Sequence, residues 1–287
     1  MKGYGLIFEH ELPQGSKLYF DKSAKLKRDI ESRAVQILYE NDYKEIATPT
    51  FSFLSHQDDF SNRDMIRLSG EDNHQIVLRY DSTVDAMRII TKRIARSTSH
   101  KKWFYIQPVY DYPTIELNQI GVEFLDSQSL APVMCLSVLL LKEFGLSPFL
   151  QICNQKIPLL CAQHLDINIE SFISQDYSAL GKKADFLSTL AKVHSQRDLE
   201  ECLDCMPQFL RKELESLLEC ASFCVYENTI FSPLFYAPGG YYEDLFYRAF
   251  IGNEVLVIGG RYVISQTPSC GFAIYTDNVV AKLLEGA

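Results

Sequence analysis

From about residue 156 to 224 only helical periodicity is visible, and that stretch interrupts a chain that reads as β-rich on both sides. The interruption constrains the fold more than any other feature. Short strands cannot each bury an apolar face alone, so the strands before and after it are expected to share one sheet. Residues 1–155 and 225–287 then form one unit, and 156–224 is a helical insertion. Within it, LGKKADFLSTLAKVH and MPQFLRKELESLLECASF repeat apolar positions three and four apart.

Residues 17–41 place Leu26, Ile30, Ala34, Ile37 and Leu38 on one face of a long amphipathic helix, with Lys25, Arg28, Glu31 and Arg33 on a charged face opposite. Tyr43 to Ala47 reads as a short strand stopped by Pro49, which has no N–H for a ladder. Met65 to Leu68 and Gln75 to Arg79 read as strands joined by the turn residues 69–73. A helix over 81–96 follows, with Asp81 or Ser82 as N-cap. Trp103 to Tyr110 and Ile115 to Leu125 flank Asp111-Tyr112-Pro113-Thr114 and predict an antiparallel hairpin. Helix 130–144 and strand 148–153 come next. After the helical stretch, strands are predicted at 231–236, 244–251, 254–258 and 271–275, with Gly259-Gly260-Arg261-Tyr262 between the last two and a final helix to Leu284. Many antiparallel strands with helices packed on one side give an α+β fold.

The chain carries 28 Lys and Arg against 37 Asp and Glu, a formal net charge of -9. A protein that grips a phosphate backbone usually carries a basic excess, so nucleic acid is disfavoured as a partner. Only about five residues without a charge precede Glu9 and His10, too short an apolar stretch for a secretory h-region, and no run approaches the about 20 apolar residues of a membrane span. Eight cysteines without an export signal read as reduced thiols of a cytoplasmic protein.

Several segments carry more information together than singly. They are Pro13-Gln14-Gly15, YKEIATP (Tyr43 to Pro49), LRYDSTVDAMR (Leu78 to Arg88), NQIGVEF (Asn118 to Phe124), GYY (Gly240 to Tyr242), GGRY (Gly259 to Tyr262) and GFAI (Gly271 to Ile274). In this order and spacing the chain resembles class II histidyl-tRNA synthetases and their paralogue, the regulatory subunit of short-form ATP phosphoribosyltransferase. The resemblance implies a synthetase-like antiparallel sheet flanked by helices and a homodimer built through YKEIATP and its helix. It also implies a histidine pocket at Asp81 (glutamate in the synthetases), Thr83, Gln119, Glu123, Tyr241 and Tyr242. Arg79 and Arg88 would fix these carboxylates or meet the ligand carboxylate. Carboxylates that accept from an ammonium or an imidazole N–H, walled by tyrosines, suit such a ligand. Without that ligand, Asp81 and Thr83 would cap a helix, and Gln119 and Glu123 would face solvent on a strand.

The departures bear on catalysis. Class II adenylation needs positive charge on the ATP phosphates. The family places arginines where this chain has Asp111, Ala237 and Asn278, and the loop between Tyr110 and Gln119 is shorter than the family's. The chain also ends at Ala287, where a synthetase would continue into an anticodon-binding domain. The implied protein is therefore a non-catalytic regulatory subunit of ATP phosphoribosyltransferase in histidine biosynthesis. It would bind histidine and a catalytic ATP phosphoribosyltransferase subunit, and would need no cofactor, metal or nucleic acid. The alternatives are a diverged amino-acid-adenylating or transferring enzyme, relying on Arg79, Arg88 and Arg261, and an interaction module with a vestigial pocket.

Three further features have structural readings that outweigh the functional ones. Cys202, Cys205, Cys220 and Cys224 approach a four-thiolate zinc spacing, but a helical segment between them also suits packed free thiols. Lys92, Arg93 and Arg96 with His100, Lys101 and Lys102 form a basic run that also sits where cations favour a helix C-terminus. Gly239-Gly240 and Gly259-Gly260 fit no phosphate-loop spacing and point to a tight turn or close backbone approach.

Overall fold

Alternating apolar side chains draw Lys102–Asp111 (β5) and Ile115–Leu125 (β6) into a long hairpin, paired from Lys102 opposite Phe124 to Asp111 opposite Ile115. The structure is a computed structural model that describes residues 12–56, 64–70, 74–223, 225–237 and 242–286. Before the hairpin lie helix α1 (Asp21–Glu40), strand β1 (Lys44–Glu45), the small strands β2 (Phe51–Phe53), β3 (Arg67–Ser69) and β4 (Gln75–Leu78), and helix α2 (Ser82–Lys92). After it come α3 (Ala131–Glu143) and β7 (Phe149–Asn154), then the helices α4 (Lys156–Leu165), α5 (Glu170–Ile173), α6 (Tyr177–Gly181), α7 (Asp185–Leu190), α8 (Gln196–Cys202) and α9 (Gln208–Phe223). The chain closes with β8 (Thr229–Phe231), β9 (Tyr242–Ile251), β10 (Glu254–Ile264), β11 (Thr267–Tyr275) and α10 (Thr276–Glu285).

Eight strands form one sheet in the order β1-β5-β6-β11-β10-β9-β7-β8, and β2-β4-β3 form a second. Only the edge pairs β1–β5 and β7–β8 of the large sheet are parallel. Strands from both sides of the helical stretch therefore interleave, β6 against β11 and β7 against β9. The fold is the α+β, synthetase-like class expected. Helices α4 to α9 do not stand apart: Ile157, Phe172, Leu199 and Leu214 share one apolar cluster with Leu150 and Tyr247 of the sheet.

Strand alternation splits the core in two. Phe104, Ile120 and Val122 face α1 and α3, whereas Trp103, Tyr105 and Leu125 face Val84, Met87 and Ile90 of α2. Helices thus cover both faces, which corrects the expectation of one. The sheet's second face meets α2 and the inner side of β2-β4-β3, where Val77 is buried.

Other departures have local causes. The predicted strand 231–236 is cut to Thr229–Phe231 because Ser232-Pro233 turns the chain, with Phe235 N donating to Ser232 O at 3.0 Å. Gly259 and Gly260 do not break a strand but lie inside β10. A Cβ there would stand 2.6 Å from the Tyr247 ring and 2.5 Å from the Tyr242 ring, so close approach is their reason. Glu31, expected on the solvent face of α1, is buried, and Lys27 and Arg28 of the same helix neutralise it.

Candidate functional site

At the middle of β6, Glu123 points into the layer between the sheet and α2 and is 1% exposed. It does not face solvent, so that alternative fails. Tyr105 of β5 donates its hydroxyl to Glu123 Oε1 at 3.1 Å, and Tyr262 of β10 donates to Oε2. Thr83, in the first turn of α2, shares a 3.1 Å hydrogen bond with the Tyr105 hydroxyl. Three elements far apart in sequence thereby converge on one carboxyl.

Two glycines make the convergence possible. Gly121 lies opposite Tyr105 in the β5–β6 register, and a Cβ on it would fall 2.0 Å from the Tyr105 ring. Gly271 lies opposite Glu123, and a Cβ on it would fall 2.3 Å from Glu123 Oε2. Ring and carboxylate lie across bare backbone, where side chains from a β-branched strand would exclude them. Burial is the largest influence on Glu123 and pushes its carboxyl up to about 8, with the nearby Asp81 charge adding to the effect. The hydroxyls of Tyr262, Thr83 and Tyr105 oppose the rise without cancelling it.

Asp81 caps α2, its carboxylate accepting from Val84 N at 3.0 Å. Thr83 is turned to Tyr105 instead. Tyr242 pairs with Tyr262 across β9 and β10 and packs its ring 5.1 Å from Phe246, on the same side as the α2 cluster. Tyr241 lies outside the described residues. Gln119 shares the strand face of Glu123 but sits four residues, about 13 Å, along β6. It lines a separate groove of about 530 Å³ with Lys27, Glu31 and Glu45.

The two arginines are engaged. Arg79 is 3% exposed and donates to the carbonyls of Thr48, Pro49 and Pro108 at 2.8–3.1 Å, clamping the end of β4 to the β1–β2 connection and to β5. Burial lowers its pKa. Arg88 pairs with Asp85 one turn earlier on α2 at 3.3 Å, and Asp85 also accepts from Ser52 at 3.0 Å. Both arginines are thus bonded to protein groups.

Tyr105 and Tyr262 were not among the residues the sequence pointed to. Each is an aromatic in a strand rich in aromatics. For Tyr105 the usable signal was the pairing of a large ring with Gly121 at the opposite register position, whereas Tyr262 closes the GGRY segment and lies opposite Ser269 and Tyr242.

Asp111, Ala237 and Asn278 are each held by local hydrogen bonds. Asp111 ends β5, accepts from Tyr112 N at 2.8 Å, and precedes a three-residue connection to β6. Ala237 N donates to Gln155 Oε1 at 3.0 Å, and Asn278 Nδ2 donates to Val255 O at 2.8 Å. Arg261 is held by Asp244 through Nε and Nη2 at 2.8 and 2.7 Å.

Among the described residues no three His, Cys, Asp or Glu side chains are grouped to hold a metal. Cys202, Cys205 and Cys220 are free thiols, and Cys224 lies outside the described residues. In the basic run, Lys101 pairs with Asp126, and Lys102 rests over the Tyr43 and Phe124 rings at 5.5 and 5.6 Å. No described helix is long and apolar enough to cross a membrane.

Comparison with known proteins agrees with this arrangement. The histidyl-tRNA synthetase family model matches residues 19–279. The ATP phosphoribosyltransferase regulatory subunit of Helicobacter hepaticus is 59% identical over 279 residues, covering 97% of this chain and all of the relative. That of Wolinella succinogenes is 47% identical, covering 97% of this chain and 98% of the relative. Among solved structures, an ATP phosphoribosyltransferase regulatory subunit/histidyl-tRNA synthetase from Bacillus halodurans superposes with a TM-score of 0.83 at 19% identity, covering 96% of this chain and 84% of that one. A histidine–tRNA ligase subunit from Alicyclobacillus acidocaldarius gives 0.79 at 20% identity, covering 100% of this chain and 99% of that one. Fold, strand register and whole-length identity converge: the chain belongs to the histidyl-tRNA synthetase family, in the group of the ATP phosphoribosyltransferase regulatory subunits.

Proposed function

We propose that this chain is a non-catalytic regulatory subunit that docks onto a catalytic ATP phosphoribosyltransferase subunit and conveys histidine occupancy to it. The observation that carries the reading is the 59% identity over the full length of the Helicobacter hepaticus regulatory subunit. The geometry supports the non-catalytic half. Asp111, Ala237 and Asn278 put no cation where adenylation would need one. Arg79, Arg88 and Arg261 are already committed to backbone carbonyls, Asp85 and Asp244. An aspartate beside a phosphate at 4 Å adds a repulsion of about 1 to 4 kcal/mol between water-like and surface-like dielectrics. A diverged adenylating enzyme thus has no free replacement among these three residues.

Histidine is assigned to the Glu123 pocket, with Asp81, Thr83 and Tyr242 around it and Tyr241 and Gln119 as further candidate contacts. Arg79 and Arg88 support the pocket wall. The subunit works in the cytoplasm as a homodimer through α1 and the Tyr43 to Pro49 segment. The helices of 156–224 form an insertion in the synthetase-like unit. By linkage, histidine must bind the inhibited assembly more tightly than the active one.

Co-expression of the tagged chain with a short-form catalytic subunit is expected to yield a stable complex that binds histidine in calorimetry. A chain that purifies alone and binds no histidine would remove the proposal. Histidine-dependent exchange of pyrophosphate into ATP is expected to stay at background, and exchange above it would restore the enzyme reading.

A further inference from the structure

Beside the Glu123 pocket the second face of the sheet continues onto β9 and β7, where alternation puts Phe246, Arg248 and Phe250 on the side of Tyr242. The register aligns Arg248 with Ile258, Ala273 and Gly121, and Phe246 with Gly260, Gly271 and Glu123, in two adjacent rows across β9, β10, β11 and β6. Ile258 and Ala273 are part-exposed. They form a low floor between Glu123 and Arg248, walled by the Tyr242 ring over Gly260.

Arg248 is held differently from Arg88 and Arg261, which pair with Asp85 and Asp244. Its guanidinium lies 4.4 Å over the Phe235 ring and 5.4 Å over the Phe250 ring. Nε donates to Gln151, and neither Nη has an acceptor among the described residues. Beyond Phe235, Gln155 is 4% exposed, accepts from Ala237 N through Oε1, and leaves its Nε2 without an acceptor. Donors thus outnumber acceptors along this edge, an imbalance that an anionic group removes.

We infer that Arg248 anchors the carboxylate of the amino acid in the Glu123 pocket, through the Nη edge that Phe235 and Phe250 leave uncovered. The inference rests on the reading that histidine occupies that pocket, and it adds the cation that completes the site. Glu123 reaches over Gly271, two strands from β9, and Arg248 lies one side-chain repeat further along. Strand spacing and rise then put the carboxyl about 12 Å from the foot of Arg248. A histidine with its ring toward Glu123 spans about 6 Å to its carboxylate, and a hydrogen bond of about 3 Å at each end makes up that length. A guanidinium stacked on rings keeps its edge presented, so a carboxylate takes two parallel N–H bonds with little further ordering. The site therefore separates an amino acid from the same molecule carrying CH2OH in place of its carboxylate.

Calorimetry with histidine and with histidinol, on the chain in complex with a short-form catalytic subunit, tests this. Wild type is expected to bind histidine at least about tenfold more tightly than histidinol. Arg248→Met is expected to lose at least about tenfold for histidine and to change less than about twofold for histidinol. Arg248→Lys keeps the charge without the fork, serves if Arg248→Met fails to fold, and is expected to lose about three- to tenfold for histidine alone.

Equal losses for the two ligands would make Arg248 a structural residue and overturn the inference, as would histidine affinity unchanged in both variants. In either case wild-type binding of histidine leaves the pocket reading standing. Wild type that binds no histidine removes the pocket reading and the inference together.

Discussion

Two carboxyls of this molecule have opposite fates in similar burial. Glu123 and Asp244 are 1% and 8% exposed, and desolvation pushes both upward. For Asp244, a bidentate Arg261, the Leu245 amide and Lys156 together outweigh burial and hold the carboxyl below its ordinary range. Around Glu123 the donors among the described residues are hydroxyls, and burial wins, to about 8. A cation keeps a buried acid ionised, whereas hydroxyls only satisfy it. The first arrangement locks a structure: Arg261 also donates to Gln128 O at 2.8 Å, joining β10 and β9 to the entrance of α3. The second leaves a buried acid uncharged.

Removing the cation is the harshest way to break this contrast. Arg261→Met leaves Asp244 buried with Lys156 at 3.4 Å as its remaining charge partner among the described residues, and a loss of about 3 kcal/mol in unfolding free energy is expected. Calorimetric unfolding against wild type checks it. A loss under about 1 kcal/mol would mean that water or Lys156 replaces the guanidinium, and that the two sites differ less than their geometry implies.

A second way is through pH. Because the folded-state carboxyl of Glu123 lies above its unfolded value, the folded protein holds the extra proton between about pH 4.5 and 8. Its stabilising effect is full below the unfolded value and is lost as pH rises through the folded one, with a limiting slope near 1.4 kcal/mol per pH unit. Glu123→Gln keeps a neutral group of the same shape. The stability difference between Glu123→Gln and wild type is therefore expected to shift in favour of the variant, on the order of 2 kcal/mol, from pH 5 to 8. Parallel curves would show that the hydroxyls hold Glu123 ionised, as cations do Asp244.

A third change sharpens the packing side. Gly121→Ala would drive a methyl into the Tyr105 ring from 2.0 Å, with an expected cost of about 1–3 kcal/mol and a displaced Tyr105 hydroxyl. Denaturant unfolding gives the cost. An unchanged midpoint would show that the ring moves freely, and the Glu123 pocket would lose its rigid wall.

Much of this was readable in the chain. The β5–β6 hairpin falls within one residue of its expected strands, because alternation and the Asp111 to Thr114 turn signal agree. The Asp81 cap and the sharing of one sheet by both β-rich stretches were legible for similar reasons. What was hidden depends on distant partners. Nothing local to Gly259-Gly260 distinguishes a turn from a strand whose neighbours carry Tyr247 and Tyr242 rings. Glu31 looks like a solvent-facing charge, yet it is buried beneath Lys27 and Arg28 at a groove that the β5–β6 end also lines. In the site, Glu123 and Thr83 were expected from sequence resemblance, but the hydroxyls that bond Glu123 come from cross-strand register, which one strand's sequence does not record. Gln119 was expected with Glu123 from the same resemblance; it lies four residues along the same face of β6 and lines the groove beside α1.

The central claim is that this synthetase-like fold regulates rather than catalyses. Its most direct test is to titrate the chain into a short-form ATP phosphoribosyltransferase catalytic subunit and follow phosphoribosyl transfer with and without histidine. Activity is expected to rise to a plateau at one chain per catalytic subunit and then to fall on adding histidine, with the fall blunted in Glu123→Gln. A catalytic subunit equally active, and equally sensitive to histidine, at every concentration of the chain would contradict it.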